Sequence, residues 1–220
     1  MESNTIYPIK GRPLRIAVLG STRGTDLQAI IDSIREGKLY AEIVCVISNK
    51  KDAYILERAR MNGIEAIFLD PKGLSREEYD RIVIRELEKR EPIDLILLIG
   101  YMRILSKVFV DRFRWRILNI HPSLLPAFAG GMDLEVHKAV LDYGVKVTGC
   151  TLHFVDEGVD TGPILIQKVV DVSDDDTSVT LKAKVQKKEQ EALIEAIRIF
   201  QEKVIRIEGR RVKILNNNTA

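Results

Sequence analysis

Short apolar runs alternate with segments of helical periodicity over the first 121 residues, and this alternation constrains the fold more than any other feature. Residues 14–19 and 93–99 are almost wholly apolar, as expected for strands that are covered on both faces. Between them, apolar residues recur at helical spacing, for example over 27–34. Strands that alternate with helices form parallel βαβ units with right-handed crossovers. The sequence therefore predicts an open, mainly parallel, Rossmann-like sheet flanked by helices.

The second part of the chain has a different pattern. Residues 147–170 read as an antiparallel hairpin with a wide acidic turn, and a long helix with a continuous apolar stripe follows Thr177. Residues 204–215 predict a small terminal hairpin. We therefore expect an α/β fold with an antiparallel C-terminal extension. Residues 1–13, which include two prolines and a glycine, are expected to form a loose leader.

The composition excludes several classes of protein. The 34 basic and 32 acidic residues give the 220-residue chain a net charge of only +2, which argues against a nucleic-acid-binding surface. No apolar stretch approaches the ~20 residues of a membrane span, and the N-terminus lacks the apolar core of a secretion signal. Cys45 and Cys150 lie in apolar runs and are expected to be buried free thiols, as in a reducing compartment. A cytoplasmic protein without nucleic-acid or membrane partners is expected.

A polar pair, Asn119 and His121, follows directly on the apolar end of a predicted strand. Because side chains of a strand alternate between its faces, the two point to the same side. Histidine exchanges a proton near neutral pH, and an asparagine amide donates hydrogen bonds without carrying charge. A carbonyl group held between them would find a proton source and a support for its oxyanion. Taken alone, such a pair favours a strand end that carries a structural histidine, because most such pairs are structural.

Ligands of open parallel sheets bind beyond the carboxyl ends of the strands. By this rule the loops at 20–26, 100–105 and 119–121 lie on one rim. The first loop is a glycine-rich turn before a helix, with Thr25 or Asp26 as the expected N-cap, and its backbone N–H groups suit a phosphate. The turn matches neither the dinucleotide nor the nucleoside-triphosphate fingerprint, which argues against nicotinamide and nucleoside-triphosphate enzymes. A plain tight turn is the alternative.

Metal and serine chemistry have little support in the sequence. The histidines are His121, His137 and His153, which show no paired ligand spacing, and no cysteine cluster accompanies them. No serine lies in a Gly-x-Ser-x-Gly elbow. His137 falls within a predicted helix and His153 within a predicted strand, so both are expected to be structural.

Two segments carry a resemblance to a known family. Residues 119–126 read Asn-Ile-His-Pro-Ser-Leu-Leu-Pro, and residues 153–163 read His-Phe-Val-Asp-Glu-Gly-Val-Asp-Thr-Gly-Pro. Further matching segments lie at 75–81, 100–105 and 185–189. In this order the motifs resemble those of the phosphoribosylglycinamide formyltransferases, which are folate-dependent enzymes of purine synthesis. The resemblance covers about residues 15–200.

The resemblance implies transfer of the formyl group of 10-formyltetrahydrofolate to the amine of glycinamide ribonucleotide. The amine attacks the formyl carbon, a tetrahedral intermediate forms, and tetrahydrofolate leaves after protonation. By resemblance, His121 is the proton donor, Asn119 stabilises the oxyanion, and Asp160 raises the pKa of His121 and orders a water. Neither a covalent intermediate nor a metal is implied, and alignment of the two substrates supplies much of the acceleration.

The resemblance also assigns the binding residues and the domain. The implied ribonucleotide contacts are Gly24, Thr25, Asp26, Gln186 and Glu189. The implied folate contacts are Arg76, Met102, Arg103, Ile104, Leu105, Asp156, Glu157, Gly158 and Val159. One formyltransferase domain is expected over residues 1–220, with a ribonucleotide-binding half at 14–126 and a folate-side half at 127–220. The two small-molecule substrates are the implied partners, and the choice between a monomer and a homodimer stays open.

The chain departs from the usual family pattern at two places. Where the family often has Gly-Ser-Asn, this chain has Gly24-Thr25-Asp26, and a carboxylate would repel a phosphate unless it points away as a helix cap. The family's Pro-Gly after the aromatic residue is replaced by Ala129-Gly130-Gly131. That segment shapes the loop beside the predicted active centre.

Three alternatives use the same catalytic residues or the same scaffold. Methionyl-tRNA formyltransferase carries a C-terminal RNA-binding domain, for which the residues after Phe200 are too few. Formyltetrahydrofolate hydrolase usually carries an N-terminal regulatory domain, for which the residues before the first predicted strand leave no room. A hydrolase without that domain, and a non-catalytic folate or nucleotide binder, remain open.

Overall fold

The computed structural model describes residues 4–131 and 134–216. The strands in these ranges are β1 (Asn4–Ile6), β2 (Leu14–Gly20), β3 (Ala41–Ser48), β4 (Ala66–Phe68), β5 (Leu95–Ile99), β6 (Ile117–His121), β7 (Val147–Phe154), β8 (Ile164–Asp171), β9 (Lys203–Glu208) and β10 (Arg211–Asn216). The helices are α1 (Thr25–Arg35), α2 (Tyr54–Met61), α3 (Arg76–Glu88), α4 (Lys107–Arg112), α5 (Leu134–Tyr143) and α6 (Ser178–Glu202).

Seven strands form the main sheet, in the order β4-β3-β2-β5-β6-β7-β8. The strands from β4 to β6 pair in parallel, whereas β7 pairs antiparallel with both β6 and β8. The predicted fold class, a Rossmann-like sheet with an antiparallel C-terminal extension, is confirmed. β5 occupies the middle of the sheet and every one of its residues is buried, as its uninterrupted apolar sequence predicts.

The sheet has a hydrophobic core on each face, because side chains alternate along the strands. Leu95, Leu97 and Ile99 of β5 belong to one core, which is completed by apolar residues of α1, α2, α5 and α6. Ile96 and Leu98 belong to the other core, under α3 and α4. Both cores hold β5 rigidly, so the loop that follows this strand starts from a fixed position.

A second, three-stranded sheet has the order β1-β9-β10 and corrects one expectation. Residues 4–6 are not part of a loose leader: they form β1, which pairs antiparallel with β9, Asn4 opposite Ile207 and Ile6 opposite Ile205. The two strands lie about two hundred residues apart in the chain, and a local pattern cannot reveal such a pairing. The terminal hairpin itself, β9 and β10, was predicted and is confirmed.

Helix boundaries agree with the sequence where side chains cap them. The pattern Ser-x-x-Glu at 75–78 predicts a capping box, and Ser75 and Glu78 form it at the start of α3. Thr177 caps α6. The predicted N-cap of α1 is wrong, because Thr25 is already helical and Gly24, with φ +66°, is the cap without a side-chain hydrogen bond. From the sequence we expect α5 to begin at Asp133 and residues 216–220 to fray. The expectation is wrong for Asn216, which ends β10 and pairs with Lys203. Asp133 and residues 217–220 lie outside the described residues.

Two further expectations concern the cysteines and the membrane. Cys45 and Cys150 are buried and free, as predicted. Within the described ranges, no helix combines the length and the apolar character needed to cross a bilayer.

Candidate active site

A cavity of about 720 Å³ opens at the carboxyl ends of β2, β5 and β6. Its walls are the turn after β2, the segment after β5, the end of β6, the loop at 130–131, the acidic turn after β7 and one face of α6. The loops at 20–26, 100–105 and 119–121, which were predicted to lie on one rim of the sheet, therefore converge on this cavity. A volume of this size is typical of small-molecule sites.

His121 is buried at the end of β6 and contacts two acceptors. Its Nε2 lies 3.1 Å from the Phe128 carbonyl oxygen, and its Nδ1 lies 3.3 Å from Asp160 Oδ2. A carbonyl oxygen can only accept a hydrogen bond, so Nε2 carries a hydrogen. The second acceptor suits a ring that is protonated on both nitrogens.

The pKa of His121 lies below its ordinary value, because burial opposes the charged ring. Asp160 and the Phe128 carbonyl act in the opposite direction but do not outweigh burial. The predicted contribution of Asp160, which raises the pKa of His121, is present, and burial outweighs it. The proton on this ring is held loosely enough to be given away.

Asn119 contacts a second histidine, His153, for which the sequence predicted no role at the site. β6 and β7 pair with Asn119 opposite His153, and the Asn119 amide nitrogen lies 3.2 Å from His153 Nε2. His153 Nδ1 lies 2.8 Å from the Phe154 carbonyl oxygen and donates to it, and His153 Nε2 also lies 3.6 Å from Asp160 Oδ1. His153 therefore orients the Asn119 amide, whereas the sequence predicted only a structural role for it.

Asp160 lies between the two histidines, with Oδ2 near His121 Nδ1 and Oδ1 near His153 Nε2. Its Oδ2 accepts a hydrogen bond of 2.8 Å from the Gly130 N–H, and its Oδ1 lies 3.4 Å from the Asn119 amide nitrogen. Burial raises the pKa of Asp160, but the His153 ring, the Gly130 N–H and the charge of His121 together bring it below its ordinary value. The carboxyl group is therefore an anion at neutral pH.

Asp160 has a left-handed backbone, with φ +54°. Such a conformation is uncommon for a residue with a side chain and persists where the surroundings impose it. Here the turn is tied by Thr161 Oγ1, which donates to Asp156 Oδ1 at 2.6 Å, and by Arg210 of the β9–β10 hairpin, which donates to the Thr161 carbonyl oxygen. These two contacts of the neighbouring Thr161 hold the turn that positions the Asp160 carboxylate.

The glycine-rich turn after β2 is shaped by close packing. A Cβ on Gly24 would lie 2.5 Å from Ile55 Cγ1, and its φ of +66° also favours glycine. The next residue, Thr25, accepts a hydrogen bond from Gln186 of α6. Two of the predicted ribonucleotide contacts, Thr25 and Gln186, are thus brought together across the cavity.

Asp26 lines the cavity and is 6% exposed. It does not cap α1, and its Oδ1 has no hydrogen-bond partner in the described part of the chain. Burial raises the pKa of Asp26 to about 6, while Gln190 and Lys182 act in the opposite direction. The carboxyl group therefore does not point away from the site as a helix cap would.

Two hydrogen bonds from its backbone hold the segment after β5 in place. The Met102 N–H donates to Ser21 Oγ at 2.9 Å, and the Ser106 N–H donates to Asp80 Oδ2 at 2.5 Å. The Arg103 guanidinium lies 4.3 Å from the centre of the Tyr79 ring. Residues 102–105 all line the cavity, with Ile104 half exposed. This wall combines the apolar side chains of Met102, Ile104 and Leu105 with the Arg103 guanidinium.

Most of the predicted site residues line this cavity, and two do not. Asp156, Gly158 and Val159 join the wall, as do the predicted ribonucleotide contacts Gly24, Thr25, Asp26, Gln186 and Glu189. Arg76 and Glu157 lie outside the wall, and Glu157 instead pairs with Lys107 at 3.1 Å on the surface. Their contact with folate stays a prediction.

Sequence reasoning missed Lys182, His137 and His153, all of which line the cavity. The available signal for Lys182 was its spacing of four residues from Gln186, which places both on one helix face. Among residues 4–131 and 134–216, no group of three or more His, Cys, Asp or Glu side chains is arranged to hold a metal ion.

Known proteins share this sequence and fold. The family described as formyl transferase matches residues 14–197. The phosphoribosylglycinamide formyltransferase of Escherichia coli is 42% identical over 177 residues, which is 80% of this chain and 82% of the relative. The trifunctional purine biosynthetic protein adenosine-3 of Gallus gallus is 43% identical over 200 residues, which is 90% of this chain and 20% of that relative. This chain thus spans about a fifth of the trifunctional protein.

A solved structure agrees with these matches. The glycinamide ribonucleotide transformylase 1 of Symbiobacterium toebii superposes with a TM-score of 0.87 at 46% identity, covering 94% of this chain and 96% of the other. The likeness therefore extends over most of both chains.

Proposed function

The chain belongs to the formyl transferase family, and we propose that it transfers the formyl group of 10-formyltetrahydrofolate to the amine of glycinamide ribonucleotide. The products are formylglycinamide ribonucleotide and tetrahydrofolate. The observation that carries the proposal is the contact of His121, Asp160 and Asn119 at one end of a cavity whose other end is a glycine turn at a helix N-terminus. The names of the similar proteins support the same reaction.

The two substrates enter from opposite ends of the cavity. The phosphate of the ribonucleotide binds the backbone N–H groups of the turn around Gly24 and Thr25, and its ribose reaches Gln186 and Glu189. The folate occupies the wall formed by residues 102–105 and the turn at 156–160. Both reacting groups then meet beside Asn119 and His121, where alignment alone contributes a large part of the rate.

The reaction moves a formyl group and one proton. The amine nitrogen bonds to the formyl carbon, and the carbonyl oxygen becomes an oxyanion that the Asn119 amide stabilises. The bond from carbon to the folate nitrogen then breaks as that nitrogen takes up a proton. The amine loses one proton and the folate nitrogen gains one, so the residues need only relay it.

His121 is placed to carry that proton. Nδ1 faces the Asp160 carboxylate, so Nε2 is the atom that donates to the leaving nitrogen. Donation requires Nε2 to exchange the Phe128 carbonyl for the substrate. In the same way, the longer contact of the Asn119 amide, toward Asp160, is the one that an oxyanion replaces.

The remaining features belong to the same proposal. Residues 14–126 form its ribonucleotide-binding half, and residues 127–220 its folate-side half. The enzyme works in the cytoplasm on two small molecules, without a metal and without nucleic-acid or membrane partners, as a monomer or a homodimer.

The test is steady-state turnover of formylfolate, followed by folate absorbance, with and without glycinamide ribonucleotide. We expect turnover only when the amine is present. Equal turnover without the amine would identify a formylfolate hydrolase. Folate binding without turnover in either mixture would identify a non-catalytic binder, and both results contradict formyl transfer.

A further inference from the structure

One face of α6 lies along the N-terminus of α1 and carries a lysine that the predicted site does not include. Lys182, Gln186 and Glu189 follow one another at spacings of four and three residues, and all three line the cavity. Gln186 fixes the position of this face, because it donates a hydrogen bond to Thr25 at the start of α1. Lys182 therefore stands one helical turn from a residue that touches the glycine turn.

The charges at this end of the cavity require a cation. Asp26 places a buried carboxyl group with an unpartnered Oδ1 in the cavity wall, directly after the turn proposed to hold the phosphate. A phosphate adds up to two further negative charges at close range. The partial positive charge of the α1 N-terminus, about half an elementary charge, cannot offset both groups.

Two cations line this end of the cavity, Arg23 and Lys182. Arg23 is exposed, so water and salt screen its charge. Lys182 is half buried, and its charge already acts on Asp26. Of the two, Lys182 has the less screened and therefore stronger interaction with groups inside the cavity.

We propose that Lys182 is a further ribonucleotide-binding residue, whose ammonium group holds the substrate phosphate and offsets the carboxylate of Asp26. This inference rests on the proposed function, because it assigns a role within the same ribonucleotide site. Asp26 and Lys182 act as a pair. The Asp26 carboxylate repels the phosphate, and the positive charge of Lys182 offsets that repulsion.

The experiment compares Lys182→Met with Lys187→Met. Lys187 is exposed on the same helix and does not line the cavity, so its substitution makes the same change of charge elsewhere. We expect Lys182→Met to raise the KM for glycinamide ribonucleotide by about 10- to 100-fold, the range of a lost hydrogen bond to a charged group. The KM for formylfolate and the kcat at saturation should stay within about twofold of the wild type, as should every constant of Lys187→Met.

The dephosphorylated substrate, glycinamide ribonucleoside, separates a phosphate contact from a general disturbance. If Lys182 holds the phosphate, Lys182→Met weakens the nucleotide and leaves the KM of the nucleoside unchanged. Equal losses for nucleotide and nucleoside would overturn the proposal, as would a Lys182→Met enzyme that behaves like Lys187→Met. A wild-type enzyme without amine-dependent turnover would instead contradict the proposed function, so the two failures are distinguishable.

The pairing with Asp26 is tested by a double-variant cycle. In an Asp26→Asn background the carboxylate charge is gone, so we expect Lys182→Met to raise the KM for the ribonucleotide at least about threefold less than it does in the wild type. An identical rise in both backgrounds would show that Lys182 does not offset Asp26. Thermal unfolding of each variant checks that the fold is intact.

Discussion

Burial and mutual charge have opposite effects on the pKa values of His121 and Asp160, which meet at the end of β6. His121 and Asp160 are both withdrawn from water, which disfavours the charged form of each, yet each stabilises the charge of the other. For Asp160 its partners outweigh burial, and for His121 burial outweighs its partners. An anion beside a histidine that gives up its proton readily is the arrangement that general acid catalysis needs.

Asp160→Asn tests this balance directly. The substitution removes the charge that raises the pKa of His121, so we expect that pKa to fall further below its ordinary value and kcat to fall about 10²- to 10⁴-fold. An NMR titration of His121 and steady-state kinetics measure the two effects. The matched control is Asp142→Asn, which removes an exposed carboxylate paired with Lys138 and should change neither. An unmoved His121 titration in Asp160→Asn would contradict the assigned coupling.

Asp26 gives a prediction about stability and pH. Its pKa of about 6 lies above the value of 3.8 expected in the unfolded chain, so the folded state holds this proton more strongly. Ionisation between these two pH values therefore lowers the free energy of unfolding as the pH rises. We expect Asp26→Asn to be more stable than the wild type at pH 7, by up to about 3 kcal/mol.

The sign of this effect depends on pH in a definite way. The gain in Asp26→Asn should shrink toward zero as the pH falls from about 6 to about 4, where the wild-type carboxyl is protonated in both states. Urea unfolding at several pH values measures it, with Asp52→Asn in an exposed loop as the control. A gain that does not change with pH would show that charge is not its cause.

At the residue scale, the sequence revealed Asn119 and His121 through strand alternation, and Asp160 through resemblance. It did not reveal the contact of His153 with Asn119, because that contact depends on the antiparallel register of β6 and β7. The sequence also predicted Thr25 or Asp26 as the N-cap of α1, whereas Gly24 is the N-cap. The left-handed conformation of Gly24 depends on the packing of the turn, which a local pattern does not show.

At the scale of elements, strand ends and one terminal hairpin position the site. The apolar runs at 14–19 and 93–99 predicted β2 and β5 to within two residues, because an uninterrupted apolar run is a strong local signal. The strand β1 could not be predicted, since three residues of weak local preference gain their structure from a distant partner. The β9–β10 hairpin was predicted, but its contact with the turn beside Asp160 was not.

That contact predicts an effect of Arg210 on the reaction. Arg210→Met removes the hydrogen bond to the Thr161 carbonyl, next to the left-handed Asp160. We expect kcat to fall about 2- to 10-fold, the equivalent of one hydrogen bond, with both KM values unchanged. Arg211→Met, an exposed neighbour at the start of β10, is the control. Equal kinetics of the two variants would mean that the hairpin does not hold the turn.

At the scale of the whole molecule, the sheet brings together residues that are far apart in sequence. β2 provides the turn proposed to hold the phosphate, and β5 provides the wall proposed for folate. β6 provides the proposed catalytic pair, and α6 a polar face opposite the turn. The alternation of strands and helices predicted this convergence, because parallel strands present their carboxyl ends on one side. The antiparallel β7 and β8 add what a plain parallel sheet lacks, a hairpin whose turn returns Asp160 to the end of β6.

The central claim is that this cluster performs formyl transfer, and His121→Ala tests it most directly. The measurement is kcat with both substrates saturating, together with the dissociation constants of glycinamide ribonucleotide and a folate analogue. We predict that kcat falls at least about 100-fold while both dissociation constants stay within about threefold of the wild type. A His121→Ala enzyme that keeps a near-normal kcat would contradict the account.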